Sequence, residues 1–552
     1  MRLPELDYTP TMPALARRAA ERYRDQPFIV MPDRCMTFSQ AERASRRIAA
    51  TLLATGVGKG TRVGAMFGYG TDWVVTWMAV TRIGGVFMPL STVYKPAELR
   101  TVLLLGDVER LIIPPRLNGS DHLDFVEAAV PGLGTAGPEA LWRADLPYLR
   151  SVWVAGGAER PWAHSLAVDF REEAPSELGV PGDLLAAAEA QVTPADWMMV
   201  VFTSGTTATP KAVIHTHGNF LRHGANLARF VGFDTETRSF CGMPFFWIGG
   251  VGCSLNMALA AGSTLLCIER FDPDAALDMM EAEGANHVAM WSQLAQRLRQ
   301  HIAATGRDVR AIPALAPPPP GVPFTTDTEL RHNSLGMTET VGPHSAPGPE
   351  ADRVLPEDMR GSFGPLLPEV EHRIADPQTN VALPEAQEGE VCIRGYSLMA
   401  GLYKRERHET FDDDGWYHTG DRAVIRDGYL YFKGRLSEMI KTSGSNVAPR
   451  EVELALEAFE EVGLAVVIGL PDPERGQVVA AALAPRPGAV IDADDVLQRL
   501  DKELSSYKLP RRVLVLGEGD VPYLPSGKPD RIRIRRRLET SSVETSELRT
   551  AM

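Results

Sequence analysis

Residues 201–219 read VFTSGTTATPKAVIHTHGN. An apolar run ends at Phe202, and Thr203, Ser204, Thr206, Thr207 and Thr209 then crowd around Gly205. Lys211 follows behind Pro210. A strand running into a hydroxyl-rich turn brings backbone N–H groups and side-chain hydroxyls to one place, which is how a loop cradles phosphate oxygens. A lysine beside it adds a point charge. The spacing is not that of the GxxxxGK[ST] loop, because no Ser or Thr follows Lys211. Taken alone, such a stretch reads more often as a solvated turn. Asn219 is placed to cap a following helix.

Around this stretch the chain alternates helix and strand signals. MTFSQAERASRRIAATLLATG, from Met36, reads as a helix with Ser39 and Glu42 as a capping box and Ala44, Ile48 and Leu52 on one face. RVGAMF reads as a strand, TDWVVTWMAVTRIGG as a helix closed by Gly84 and Gly85, and VFMPL as a strand. This order predicts α/β layers with buried, mostly parallel strands. Beyond about Tyr429 the texture becomes that of a compact α+β unit, with strands in GYLYFKGR, GLAVVIGL, VVAAALAP and RRVLVLG and helices in PREVELALEAF and DADDVLQRLDKEL. The last residues, SSVETSELRTAM, read as a loose tail.

The chain has 552 residues and a net charge of −14. That length predicts more than one domain, and that charge argues against a general nucleic-acid binder. Cysteines 35, 241, 253, 267 and 392 show no CxxC spacing and no disulfide framework. The opening MRLPELDYTP lacks a basic region followed by an apolar run, and no stretch is long and apolar enough to span a bilayer, so a cytoplasmic location is expected.

Three further motifs sharpen the phosphate reading. NSLGMTET, residues 333–340, carries Thr338-Glu339. GWYHTGDRAVIRDGYLYFKGR, residues 415–435, carries Asp421 and closes on Gly434-Arg435. YLPSGKPDR, residues 523–531, presents Lys528 at a turn. With FTSGTTATPKAV, MPFFWIGG and GRLSEMIKTSGSNVAPREVE in the same order, the chain resembles the AMP-forming acyl-CoA synthetases of the adenylate-forming superfamily, over roughly residues 10–537. The superfamily also holds luciferases and peptide-synthetase adenylation domains.

That resemblance implies a large N-terminal domain, 1–434, of layered α/β subdomains with a distorted β-barrel, and a small mobile α+β lid, 435–552. It implies ATP, coenzyme A and Mg²⁺, and an acyl-adenylate made in a first half-reaction and consumed by the CoA thiol in a second. Carried onto this sequence, Thr203, Ser204, Gly205, Thr206, Thr207 and Lys211 would hold phosphates. Leu335 and Gly336 would lie against the nucleotide. Thr338 would donate to the α-phosphate and Glu339 would bind Mg²⁺, which takes carboxylate oxygen. Asp421 has two acceptor oxygens for the ribose hydroxyls, and Arg435 would hold the same edge. Lys528 would act where charge develops on the carboxylate and α-phosphate. Ser437 sits at the hinge position, and Lys441, Ser443, Gly444 and Ser445 form the CoA-side loop. Phe245, Phe246, Trp247, Gly249, Met290 and Trp291 would shape an acyl pocket for an apolar acid, with ordinary core packing as the equal alternative.

The sequence also departs from the family. Residues 313–323, PALAPPPPGVP, stand where a glycine-rich turn normally meets adenine, and the stretch to Asn333 is short by roughly ten residues. Proline offers no N–H. Leu335 replaces an aromatic, Trp247 replaces a histidine, and Ala208 and Ala212 replace glycines, whose missing Cβ permits φ > 0 and close approach. These changes predict a weak or lost ATP half-reaction with a preserved CoA step, supplied with acyl-adenylate by a partner ligase. A complete ligase, a non-catalytic acyl- or nucleotide-binding protein, and transfer to a separate carrier protein are the other readings. A homodimer stays open. His215 and His217 are expected in structural roles, and the basic run 531–537 as a solvated segment.

Overall fold

The computed structural model describes the chain apart from residues 1–4, 118, 138–140, 158–159, 170, 172–179, 204–209, 317–322, 324, 326, 332, 349–353, 439, 443–444, 448, 474, 505–507, 518, 525–526 and 541–552. It divides into two compact units, Met1–Glu371 with Ile393–Tyr417, and His372–Cys392 with His418–Met552. The boundary expected from the sequence, 434/435, falls inside the second of these units.

The first unit is built on an eight-stranded sheet. Its spatial order is Gly401–Leu402, Lys211–Thr216, Trp197–Thr203, Val86–Pro89, Arg62–Ala65, Arg110–Ile113, Ser151–Ala155 and Ala163–Leu166. From Trp197–Thr203 outward to Ala163–Leu166 every pairing is parallel. Parallel strands are covered on both faces and therefore read as unbroken apolar runs, and all four residues of Val86–Pro89 are buried. Two apolar clusters cover the faces, one around Trp73, Trp77, Phe87 and Phe220, the other around Leu90, Leu111, Val154 and Phe202. A five-stranded sheet has the order His287–Ala289, Arg238–Cys241, Thr264–Leu266, Pro27–Met31 and Arg34–Thr37, parallel except for the antiparallel last pair.

The helix expected after Met36 spans Phe38–Ala54, but its cap is not the expected pair. Thr37 accepts from the Gln40 N–H at 3.2 Å and Gln40 Oε1 accepts from the Thr37 N–H at 2.9 Å. Ser39 and Glu42 fit the same pattern two residues late; the strand Arg34–Thr37 ends at Thr37, so the first capping residue free to leave the sheet takes the role. Glu42 instead accepts from Arg82, whose guanidinium is 1% exposed and also reaches Glu189 at 2.8 Å and Ser45 at 2.8 Å. A buried cation matched by two carboxylates and a hydroxyl ties three helices together.

In the second unit, Val462–Asp472 and Gly476–Pro485 form a long antiparallel hairpin. Arg512–Val515 adds in parallel to its second strand. Alternation decides its two faces: Ala465 and Val467 join one cluster, Val466, Ile468 and Leu470 the other. A further four-stranded sheet has the order Val370–Ala375, Glu388–Gly395, Tyr417–Arg426, Tyr429–Arg435. Among the described residues no helix is long and apolar enough to cross a membrane.

Candidate active site

The expected strand forms, and the residues after the turn pair with it as a hairpin. Trp197–Thr203 and Lys211–Thr216 run antiparallel, with Thr203 opposite Lys211 at the mouth of the loop. Ser204, Gly205, Thr206, Thr207 and Ala208 lie outside the described residues. Ala212 corrects an expectation. It pairs with Phe202 inside the strand, is 3% exposed and packs in the sheet core. A Cβ is ordinary there, and no left-handed backbone is required, so Ala212 costs the loop nothing.

The same hairpin leads into the helix His217–Val231. Its cap is Thr216, which accepts from the Asn219 N–H at 3.2 Å, so Asn219 lies one turn inside rather than at the cap. The Asn219 amide is used differently: it meets His215 Nδ1 at 3.1 Å and donates to the Leu398 carbonyl at 3.0 Å. His217 Nδ1 accepts from the Met12 N–H at 3.2 Å. Both rings are fully buried, which pushes each pKa down to about 3 and keeps them neutral. They serve the scaffold, as the sequence predicts.

Glu339 sits on a tight device. Leu335–Met337 and Gly342–Ser345 pair across the turn Thr338–Thr340. A Cβ at Gly336 would fall 2.5 Å from the backbone of Gly342 and Pro343, so only glycine lets these strands approach. Val341 holds φ of +63°, a strained conformation for a β-branched residue. Its side chain is fully buried in the core, which compensates. Thr340 Oγ1 donates to the Gly342 carbonyl at 2.7 Å, and the Met399 N–H donates to the Glu339 carbonyl at 2.8 Å. The Glu339 carboxylate is thereby fixed at 9% residue exposure. Tyr417 Oη donates to its Oε1 at 3.0 Å, and Lys211 Nζ stands 3.9 Å from the same oxygen. Thus Thr203, Lys211, Thr338 and Glu339 share one neighbourhood in the first unit.

The expected acyl-pocket residues also gather. The Phe246 and Trp247 rings meet edge to face at 4.9 Å, and Trp247 and Trp291 at 6.1 Å. A Cβ at Gly249 would meet Met243 Sδ at 3.1 Å and the Trp291 ring at 3.2 Å. Met290 Cγ lies against Gly242. Phe245 is fully buried between Tyr69 and Trp73 and is a core residue, whereas Trp247 is half-buried.

The second unit carries its own group. Asp421 is 2% exposed, and Arg435 Nε lies 2.7 Å from its Oδ1, opposite it in the strand pair. Arg435 also donates to the Thr419 carbonyl at 3.2 Å. Gly420, at φ of +71°, makes the bend ahead of Asp421. Glu390 clamps this bend: its Oε1 accepts from the Gly420 N–H at 2.9 Å and its Oε2 meets His418 Nδ1 at 2.8 Å, with Cys392 Sγ 3.5 Å from the same nitrogen. Glu390, Cys392 and His418 drew no role from the sequence; the i, i+2 spacing of the first two on one strand face is the signal that was there. Tyr417 went unassigned in the same way.

Lys528 is exposed on a small hairpin, where the Leu524 N–H donates to its carbonyl at 2.8 Å and Tyr523 bridges Pro529. Of the CoA-side residues, Lys441 and Ser445 lie on the paired strands Ile440–Thr442 and Ser445–Val447, while Ser443 and Gly444 lie outside the described residues. Ser437 falls in the single turn Leu436–Glu438. The basic run 531–537 is not simply solvated: Arg531 and Arg535 donate to the carbonyls of Val467 and Gly469, each at 2.8 Å.

A parallel sheet bearing a hydroxyl-and-lysine hairpin beside a buried carboxylate, followed by a smaller α+β unit, defines a nucleotide-handling α/β enzyme. The AMP-binding enzyme family model matches residues 16–403 and the AMP-binding enzyme C-terminal domain model matches 451–528, and the chain belongs to this family. A putative acyl-CoA synthetase, YngI, of Bacillus subtilis (strain 168) is 27% identical, covering 97% of this chain and 99% of the relative. A feruloyl-CoA synthase of Amycolatopsis sp is 28% identical over 91% and 94% of the two chains. The fold matches ATP-bound MatB from Rhodopseudomonas palustris with a TM-score of 0.74 at 23% identity, over 96% of this chain and 99% of that one. Relatives named as an acyl-CoA synthetase and a feruloyl-CoA synthase agree with an acid–thiol ligase of the AMP-forming type.

Proposed function

We propose that the chain is an acyl-CoA ligase for an apolar carboxylic acid, working through an acyl-adenylate, with its ATP half-reaction the weaker of the two. In the first step a carboxylate oxygen attacks the α-phosphorus of ATP and pyrophosphate leaves. In the second the CoA sulfur attacks the acyl carbon, AMP leaves, and the thiol proton is given up to solvent. The observation that carries this reading is the buried Glu339 held at 3.9 Å from Lys211 beside the loop mouth.

Thr203, Lys211 and the loop residues Ser204, Gly205, Thr206 and Thr207 would receive the terminal phosphates, and Thr338 the α-phosphate. Glu339 fits Mg²⁺ by its donor chemistry, a carboxylate oxygen beside threonine hydroxyls; when bound, the cation would neutralise phosphate charge. Asp421 and Arg435 would hold the ribose. Lys528, an exposed point charge on a four-carbon stem, would meet the charge that develops in the first step. Lys441, Ser443, Gly444 and Ser445 would line the thiol's approach after movement about Ser437, with residues 435–552 as the moving lid. Phe246, Trp247, Gly249, Met290 and Trp291 would bound the acyl group.

The weak first step now rests on Leu335 and on the proline-rich 313–323 segment, since Ala212 is structurally innocent and Ala208 and most of the proline run lie outside the described residues. Leu335 offers an aliphatic edge where stacking on adenine would want an aromatic face. A partner ligase would then supply acyl-adenylate in a shared cytoplasmic compartment. The test is pyrophosphate exchange with ATP and a panel of acids, run beside thioester formation from synthetic acyl-adenylates. Slow exchange with brisk thioester formation is expected. Brisk exchange makes the chain a complete ligase, and no thioester from either source removes the ligase reading and leaves a binding protein.

A further inference from the structure

We propose that Tyr417 is a positioning residue for Glu339, assigning one carboxylate oxygen to the protein and the other to a divalent cation. The inference rests on the reading of Glu339 as the cation-binding carboxylate. Tyr417 Oη donates to Glu339 Oε1 at 3.0 Å, across 78 residues of chain. The tyrosine is itself immobilised. It is 7% exposed, bridges Phe411 through the backbone, and packs with Val213, Met399 and Phe411 in a small apolar cluster. The Phe411 ring meets its ring at 6.3 Å in an edge arrangement.

Among the described residues, the contacts that Tyr417 and Lys211 make with the carboxylate both fall on Oε1. A glutamate has three side-chain torsions, and its terminal one is broad and nearly two-fold, so the two oxygens exchange freely unless one is held. The phenol holds one. It does so from a buried place in the apolar cluster, and its hydroxyl donates to Oε1 while the acceptor capacity of Oε2 is left unused by it. Lys211 is 43% exposed at its side chain and 3.9 Å away, too loose to set the rotamer alone. Groups that hold a ligating side chain in this way typically change metal affinity when removed.

The experiment compares wild type with Y417F and E339Q, each as the full chain. Mn²⁺ binding in the presence of a non-hydrolysable ATP analogue is read by electron paramagnetic resonance. The Mg²⁺ dependence of pyrophosphate exchange and thioester formation from a synthetic acyl-adenylate are measured beside it. Y417F should weaken Mn²⁺ about tenfold and raise the half-saturating Mg²⁺ by a similar factor, with exchange recovering at saturating Mg²⁺. Thioester formation, which consumes a ready-made adenylate, should not change. Wild-type Mn²⁺ affinity in Y417F, with E339Q impaired, overturns the assignment to Tyr417 alone. Wild-type affinity in E339Q overturns the reading of Glu339 and this inference with it. An equal loss of both half-reactions in Y417F reduces Tyr417 to a packing residue and also overturns the proposal.

Discussion

Two buried carboxylates, one in each compact unit, are held in opposite ways. Asp421 is already neutralised: Arg435 Nε lies 2.7 Å from its oxygen and the guanidinium is braced by the Thr419 carbonyl. Glu339 meets a phenol at 3.0 Å and a lysine only at 3.9 Å. A carboxylate with its own cation is pre-arranged to accept hydrogen bonds from neutral hydroxyls. A carboxylate held by a neutral donor keeps its charge available to a cation that arrives with a ligand. The contrast teaches that two acids of similar burial are given different electrostatic surroundings by the charge of their first partner.

E339Q should break the comparison most strongly. It removes the charge and keeps the shape, so pyrophosphate exchange should fall by about 10²–10³, while thioester formation from a ready-made adenylate stays near the wild-type rate. D421A should behave otherwise, because the AMP moiety is present in both half-reactions. Both should lose affinity for their nucleotide-bearing substrate by about tenfold, the worth of roughly one charge-assisted hydrogen bond. Arg435 is 43% exposed at its side chain and remains solvated without its partner, so the thermal stability cost should stay near 1 kcal/mol. If D421A spared one half-reaction, the shared-ribose role would go.

How much of this was legible in the sequence depends on how far apart the partners lie. The buried strands announced themselves, since Val86–Pro89 and Val462–Asp472 are apolar runs that only a covered sheet accommodates. Caps slipped by a few residues because Thr37 and Ser39, or Thr216 and Asn219, satisfy the same local pattern, and the end of the preceding strand chooses between them. Glu339 and Asp421 stood out within motifs. Their supports did not: Tyr417 reaches Glu339 from 78 residues away, and Glu390 reaches Gly420 from 30. A residue whose role is to hold another carries no local signature, and only the folded register reveals it.

The turn carrying Glu339 can be loosened without touching the carboxylate. G336A places a Cβ 2.5 Å from the Gly342 and Pro343 backbone, which has no flexible end to yield. The strands must part, at a cost of about 1–3 kcal/mol, read as a lower unfolding midpoint in urea. If Glu339 serves only the first half-reaction, as proposed, exchange should fall further than thioester formation. Equal losses would mean that the turn supports the pocket as a whole and that the two carboxylates differ less than their surroundings indicate.

The smallest effect falls on Ala212, where the sequence and the fold give opposite answers. If its Cβ obstructed phosphates, A212G would speed exchange. The structure places that Cβ in the sheet core, paired with Phe202 and facing away from any need for positive φ. A212G should therefore remove a packed methyl and free the unfolded backbone, costing about 1 kcal/mol with no change in either half-reaction. Unaltered exchange would locate the handicap of the first step in Leu335 and the proline-rich segment. A faster exchange would return it to the hairpin and give the two carboxylates a common fault upstream of both.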